Sequence, residues 1–506
     1  MSYRSGIILT FFRQTLSKTI KGVLMSLQDY DIGIIGGGSA GLTIAAGAAQ
    51  FGAKTLLIDK ENKLGGDCLH YGCVPSKTLI KTAHVHHLMK NASSFGLPRH
   101  EIGPVDFRDV SYRIKSVIAT IQKHDSVERF CGLGVKVQFG NVTFKNERTV
   151  SLNGKDITAK NWVIATGSSP AIPIVEGLEQ TPYMTNRDIF YLDRLPKSMI
   201  VLGAGPISTE MAQAFCRLGT EVTVIQRSGQ ILGKEDRDMA DAVMQTLVAE
   251  GVKYYLNTAI ISVKDLGSER EVRVKSKDGT SEAIRAEAIL VALGREPNLK
   301  GMGLENAGVQ HDGKGLKLDS RMRTTQKHIF GAGDVTGTYQ FTHAAGYEGG
   351  VVLTNAILHL PRKVDYTFLP WCTYTDPELA SIGMNETVAK EAGLKYSIWT
   401  EEFRMNDRAL AEGEGLGRIK LVLDEKDKPL GVQILGLHAG ELIGEWVAAL
   451  NGGVKLSALA GAVHPYPTLG EINKRVVGNY FSGKIFSDKV KSTLQFFFSL
   501  KGRACG

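Results

Sequence analysis

The chain has 506 residues, 43% hydrophobic and 22% charged, with six cysteines and a formal net charge of +8. That length exceeds what one core supports and suggests about three domains, and so few cysteines exclude a secreted disulfide framework in favour of a reducing, cytoplasmic compartment. The positive balance suits anionic cofactors or membrane surfaces, no basic patch interleaved with aromatics argues for nucleic acid, and no run of about 18 apolar residues predicts a membrane span.

Residues 1–27 carry Arg4, Arg13, Lys18 and Lys21, with no acid before Asp29. Residues 1–24 fit an organelle transit peptide, which would place the protein in a matrix. They equally fit an upstream extension, slightly preferred because Met25 opens a segment leading straight into the first strand.

Tyr30 to Ile35 reads as a buried strand, followed by Gly36-Gly37-Gly38-Ser39-Ala40-Gly41, a G-x-G-x-x-G. A small-residue helix over 42–51 and a strand over 54–58 ending at Asp59 complete the unit. The glycines allow a tight turn and close pyrophosphate approach, and the helix N-terminus faces the phosphates. Asp59 falls where a carboxylate binds a ribose hydroxyl. Strand, loop, helix, strand and acid in order make this a dinucleotide site.

Next comes Leu64-Gly65-Gly66-Asp67-Cys68-Leu69-His70-Tyr71-Gly72-Cys73-Val74-Pro75-Ser76-Lys77. Cysteines five apart can lie on one side of a helix's first turn, near enough for a strained disulfide, and a helix N-terminus lowers thiol pKa. Taken alone, the pair is either reactive or buried and structural. His84, His86 and His87 follow; no Cys or acid completes a metal site nearby, so an exposed helix surface and no metal are expected. Cys131, Cys216 and Cys372 read as buried small hydrophobes.

The strand Trp162-Val163-Ile164-Ala165-Thr166-Gly167 is repeated as Leu290-Val291-Ala292-Leu293-Gly294, which suggests two duplicated dinucleotide domains. Between them, strand Ser198 to Leu202 leads into Gly203-Ala204-Gly205-Pro206-Ile207-Ser208, a G-x-G-x-x-S, with a helix over 209–218 and a strand Glu221 to Ile225. That strand ends in Gln226-Arg227 rather than in the acid that favours NAD, and with Lys234 nearby this leans toward NADPH. Further on, Phe330-Gly331-Ala332-Gly333-Asp334 places an acid at a strand end, suited to a ribityl hydroxyl or a pyrophosphate-bound water.

A segment of new character opens at Phe368-Leu369-Pro370 and includes Tyr374-Thr375-Asp376-Pro377-Glu378. Strands around 417–423 and 429–437 and helices from Gly440 follow, then His464-Pro465-Tyr466-Pro467-Thr468-Leu469-Gly470-Glu471. The tail over 484–503 interleaves Lys484, Lys489, Lys491, Lys501 and Arg503 with Ile485, Phe486, Val490, Leu494, Phe496, Phe497, Phe498 and Leu500. It reads as a basic amphipathic helix suited to peripheral membrane contact.

Over about residues 28–480 these motifs resemble the class I pyridine nucleotide–disulfide oxidoreductases, the flavoprotein family of glutathione reductase, dihydrolipoamide dehydrogenase and mercuric reductase. G-G-x-C-x-x-x-x-C-x-P-S-K is the most specific match. The resemblance implies an α/β fold: two doubly wound Rossmann-like domains, for FAD and NAD(P), and an α+β dimerisation domain. The expected divisions are 1–27 extension, 28–188 FAD domain, 189–298 NAD(P) domain, 299–365 second part of the FAD and central region, 366–480 dimerisation domain and 481–506 tail. It implies cofactor contacts at Gly36, Gly38, Gly41, Asp59, Lys60, Gly66, Lys77, Gly140, Thr166, Gly167 and Asp334, and at Gly203, Gly205, Arg227 and Gly294 for the nicotinamide nucleotide. It makes Cys73 the thiol facing the flavin and Cys68 the outer interchange thiol, with Lys77 and Glu210 paired near flavin N5. Where some members carry a tyrosine that gates the nicotinamide pocket, this chain has Pro206.

The resemblance also implies a homodimer, each subunit completing the other's acceptor site. Dithiol-handling members carry His-Pro-Thr there, the histidine shuttling a proton and a glutamate five residues on orienting it. Here Tyr466 takes the histidine position and Glu471 remains. A phenol with pKa near 10 is a poor base at neutral pH; His464, two residues earlier, is a candidate catalytic substitute, against which stands an offset of two that faces elsewhere. Mercuric reductases are similar in carrying tyrosine there, but add a C-terminal vicinal cysteine pair, whereas this chain has Cys505 alone. The match is to the mercuric-reductase-like branch with His-Pro-Tyr-Pro-Thr. Three readings follow: an NAD(P)H-dependent FAD enzyme reducing a metal ion or other small acceptor, a dihydrolipoamide-type dithiol oxidoreductase, or a non-enzymatic redox-sensing flavoprotein.

Overall fold

A computed structural model describes residues 28–99, 101–502 and 504. The readings made for residues 1–27 and for Cys505 lie outside the described residues.

The apolar strand Tyr30–Ile35 sits inside a seven-stranded sheet. Thr55–Asp59 pairs with it in parallel on one side and Lys155–Ile164 on the other, while Val135–Phe139 extends the first side and Ile329–Gly331 returns to pair with the end of Lys155–Ile164. Ile32, Ile34, Leu56, Leu57, Ile58 and Val163 are all fully buried. Both faces of this parallel sheet are covered, so its strands are continuous apolar runs rather than alternating ones. Gly33 interrupts the run because the Trp162 ring lies across it, 2.2 Å from where a Cβ would stand. Helix Ser39–Gln50 packs on helix Thr342–Ala356. Its small residues permit the approach, since a Cβ on Gly47 would meet Leu353 at 2.4 Å.

A second parallel sheet repeats the scheme, ordered Lys253–Tyr255, Glu221–Ile225, Ser198–Leu202 and Ala288–Val291. In each unit the strand leading into the repeated A-x-G turn pairs with the strand that precedes the glycine loop, as the duplication predicts. Each unit also carries an antiparallel appendage: Thr149–Leu152 with Val142–Phe144 in the first, and Thr258–Asp265, Arg270–Ser276 and Ser281–Ala286 in the second.

The third unit is a five-stranded antiparallel sheet, ordered Pro370–Thr373, Glu378–Gly383, Pro429–Gly436, Arg418–Asp424 and Tyr396–Glu402. Helices Ala439–Asn451 and Glu471–Ile485 close its core, joined by a 2.9 Å bond from the Trp446 indole to Asn473. Helix Glu471–Ile485 runs across position 480 and takes in Lys484, so the tail helix is the shorter Asp488–Phe498.

Two expectations are corrected here. The histidines of helix Cys73–Lys90 are not an exposed face, because that helix packs on helix Pro206–Leu218. His86 is buried, with Nδ1 2.7 Å from the Arg217 carbonyl, and His84 Nδ1 lies 2.9 Å from Asp376. Cys131 is exposed rather than buried, and Cys216 and Cys372 are partly covered. Among the described residues no group of three or more His, Cys, Asp or Glu is placed to hold a metal ion, and no helix is long and apolar enough to cross a membrane.

Candidate active site

A cavity of about 1340 Å³ is lined by residues of all three units. Gly36, Gly38, Asp59, Lys60 and Gly140 line it, as do Gly66, Thr166, Gly167, Gly294 and Asp334, together with Cys68, Cys73, Lys77, Gly205 and Glu210. The first glycine loop is built for close approach. Gly36 has φ +115°, and a Cβ there would stand 2.1 Å from the Ala165 carbonyl; one on Gly41 would meet the Gly36 carbonyl at 1.8 Å. Gly38, by contrast, meets nothing nearer than Gly66 Cα at 3.9 Å, so the N-terminus of helix Ser39–Gln50 is open to a phosphate. Asp59 pins this loop, accepting from Gly37 N–H at 2.6 Å and Glu61 N–H at 2.8 Å, and burial pushes its carboxyl up. This bare glycine cradle, helix start and acid fit a dinucleotide cofactor such as FAD.

Asp334 sits in a network that the sequence reading missed. It accepts from Ser168 Oγ at 2.6 Å, and Arg295 donates to Ser168 Oγ at 2.7 Å and to Asp67 at 2.8 Å. Burial raises the Asp334 carboxyl. Asp67 lies inside the cysteine motif and Arg295 directly after the second repeated turn, so both adjoined recognised signals.

The cysteines meet differently from expectation. Cys68 lies in the short helix Gly66–His70, and Cys73 opens the next helix, Cys73–Lys90. They come together across the break between two helices, not within one first turn. Gly72 makes the reversal possible, since a Cβ there would stand 3.1 Å from Cys68 Cα. Both are free thiols, the reduced form of the pair. The hydrogen bond from Cys68 pulls the Cys73 thiol down to about 6 against burial, helped by Thr342 and the Lys77 ammonium. Donating that bond, together with burial, pushes Cys68 well up. The thiolate therefore resides on Cys73, which opens into the cavity and lies 3.3 Å from Thr342 Oγ1. Thr342 had no local sequence signal; the fold alone brings it here.

Lys77 Nζ is 2.7 Å from Glu210 Oε2, the pair that the family resemblance implied. Glu210 is buried, its other oxygen accepting from Tyr374 N–H at 2.9 Å, and the Lys77 ammonium stands 4.3 Å over the Tyr374 ring. Two residues on, Asp376 accepts from Arg217 at 2.7 Å. Pro206 lines the cavity together with Trp371, whose indole N–H is held by Glu235.

At the second glycine loop a Cβ on Gly203 would meet the Ala292 carbonyl at 2.6 Å, while Gly205 is open. Ser208, in place of the third glycine, donates to that same carbonyl at 3.1 Å. Arg227 lies in a separate cleft of about 280 Å³ with Asn257, Lys275, Ser276 and Lys277, and no carboxylate lines it. Lys234 belongs to the main cavity instead.

Tyr466, His464 and Glu471 do not line the cavity of their own chain. Tyr466 is 69% exposed and donates to Asp407 at 2.8 Å, an interaction that pushes its phenol up. His464 turns the other way, with Nε2 2.9 Å from Glu445.

With this geometry in view, comparison with known proteins is direct. The pyridine nucleotide-disulphide oxidoreductase family matches residues 30–349, and that family's dimerisation domain matches residues 369–477. The chain belongs to this family. It is 33% identical over 447 residues to a mercuric reductase of Staphylococcus aureus, covering 88% of this chain and 81% of the relative. It is 34% identical over 478 residues to the mitochondrial dihydrolipoyl dehydrogenase of Schizosaccharomyces pombe, covering 90% and 91%. Among solved structures, the Cu(II) complex of the HOCl-induced flavoprotein disulfide reductase RclA from Escherichia coli matches with TM-score 0.80 and 26% identity, covering 90% of this chain and all of that one. The protein is thus an FAD-dependent oxidoreductase of the disulfide class that works with NAD(P)H, and the non-enzymatic reading falls away.

Proposed function

We propose that the protein passes electron pairs from NADPH, through FAD and the Cys68–Cys73 pair, to a soft metal ion or another small acceptor that needs little base catalysis. The observation that carries this reading is Tyr466, a phenol whose pKa is raised by Asp407 at the position where a proton shuttle would stand. His464, engaged by Glu445, is a poor replacement. A metal ion needs no proton from the enzyme to accept electrons, and thiolates are its natural ligands. The mercuric reductase relatives and the Cu(II) complex of RclA support the same class of acceptor.

FAD would be held by Gly36, Gly38 and Asp59 and along Lys60, Gly66, Gly140, Thr166, Gly167 and Asp334, and it would supply the ring that relays hydride from nicotinamide to the disulfide. Gly41 lets the helix start approach the Gly36 carbonyl rather than lining the cavity. Lys77, fixed by Glu210, puts positive charge at the redox end of the cavity. An electron pair breaks the Cys68–Cys73 bond; Cys73 keeps its sulfur as the thiolate, favoured by a pKa of about 6, while Cys68 takes the proton. Cys68 then gives up its proton to solvent as it meets the acceptor, and handing on the electron pair re-forms the disulfide. The leaning to NADPH rests on Arg227, Lys275 and Lys277 around one cleft, a cationic set suited to a 2′-phosphate.

In this reading the working unit is a homodimer, with Tyr466 and Glu471 reaching the acceptor end of the partner's cavity, in a reducing compartment. Peripheral membrane contact through residues 484–503 is an additional capacity. Anaerobic reduction by NADPH or NADH, then challenge with Hg(II), Cu(II), lipoamide, glutathione disulfide or a quinone, tests the proposal. Metal-ion turnover preferring NADPH, lost in Cys68→Ser and Cys73→Ser, is expected. Lipoamide turnover at ordinary rates would favour the dihydrolipoamide-type reading and overturn the argument from Tyr466.

A further inference from the structure

We infer that the helix Asp488–Phe498 docks the protein on an anionic membrane surface, lying in its plane. The helix starts beyond the end of the family's dimerisation domain at residue 477, and none of its residues is buried. Val490, Leu494, Phe497 and Phe498 fall at i, i+4, i+7 and i+8, which makes one apolar stripe. Leu494 is 39% exposed, Phe497 72% and Phe498 69%. Val490 and Leu494 are partly covered, while Phe497 and Phe498 stand largely bare.

The charges around the stripe decide its occupant. Lys489 and Lys491 flank it and Lys501 follows, against one acid, Asp488. Lys484 stands at its foot, tied to Asp427 at 2.6 Å. A second copy of the same tail would bring lysine against lysine, whereas acidic headgroups attract each of them. The helix has 11 residues, well short of the roughly 20 that cross a bilayer. It therefore lies at the interface with Phe497 and Phe498 in the acyl boundary and Phe496 to one side of the stripe. One such helix binds weakly; two carried by a dimer bind together. The inference does not depend on which acceptor the redox site serves.

The test mixes the full-length FAD-loaded enzyme with vesicles of phosphatidylcholine alone or with added phosphatidylglycerol, and measures sedimentation beside the mass of the free enzyme. Wild type should pellet about tenfold more with the anionic vesicles. Phe497→Asp/Phe498→Asp and Lys489→Glu/Lys491→Glu should each lose that gain, with NADPH oxidation and dimer mass unchanged. Failure of wild type to pellet with anionic vesicles, or equal pelleting of the Phe497→Asp/Phe498→Asp variant, would sink the proposal. So would dissociation of that variant to monomers, which would make the stripe an interface between copies.

Discussion

At the scale of single residues, the redox centre is an unequal pair. Cys73 is a thiolate at neutral pH and loses that charge as the pH falls through about 6, while its neighbour stays protonated. Thiolate absorbance of the reduced protein should therefore titrate with a midpoint near 6. Cys68→Ala removes the largest cause and should move the midpoint toward the ordinary thiol value of about 8.5. Lys77→Met should move it the same way by less, and an unmoved midpoint in both variants would refute the account. The pairing of Lys77 with the distant Glu210 came only from the family resemblance, whereas the cysteine pair and the first glycine loop were legible because each motif lies within a few residues. Thr342 was not, since its place beside Cys73 exists only once helix Thr342–Ala356 has folded under the sheet.

At the scale of elements, the turn between strands Pro370–Thr373 and Glu378–Gly383 fastens the third unit to the other two. Asp376 accepts from Arg217, and the Gln213 side-chain amide exchanges two hydrogen bonds with the Asp376 backbone. Burial works against the Asp376 charge, yet the His84 hydrogen bond and the Arg217 guanidinium hold its carboxyl far below the usual range. A depressed carboxylate stabilises the fold above its ordinary pKa of 3.8, and that contribution fades as the pH drops further. Asp376→Asn leaves Arg217 partly unpaired in a buried site and should cost about 3 kcal/mol at neutral pH. In chemical denaturation the gap between variant and wild type should narrow below pH 4; a constant gap would show that the charge does not matter. The sequence marked this turn as family-like, but its partners lie in helices whose faces were misjudged. His84 and His86 looked like surface because periodicity shows which residues share a face, not what packs on it.

At the scale of the whole molecule, the cavity holds everything needed to take electrons in, while the residues expected at the acceptor end stand elsewhere on the same chain. Tyr466 and Glu471 act, in our reading, on the partner's cysteines. Coexpressed Cys68→Ser and Tyr466→Leu subunits should then form mixed dimers with one intact site, more active than either variant alone. No gain on mixing would place the acceptor site within one chain. The three-unit architecture was legible because glycine loops and strand ends repeat in order along the sequence. The joints between units were not, because they are made by residues far apart in the chain: Lys420 reaches Asp236 and Asp238, and Glu235 reaches Trp371, Ser381 and Gln433.

Glu210 belongs to both the machinery and the joints. One of its oxygens takes the ammonium that faces the redox centre, and the other takes a backbone N–H from the third unit. A single carboxylate thus serves as wiring and as masonry. A shift of the third unit would therefore pull on the same side chain that holds the Lys77 ammonium.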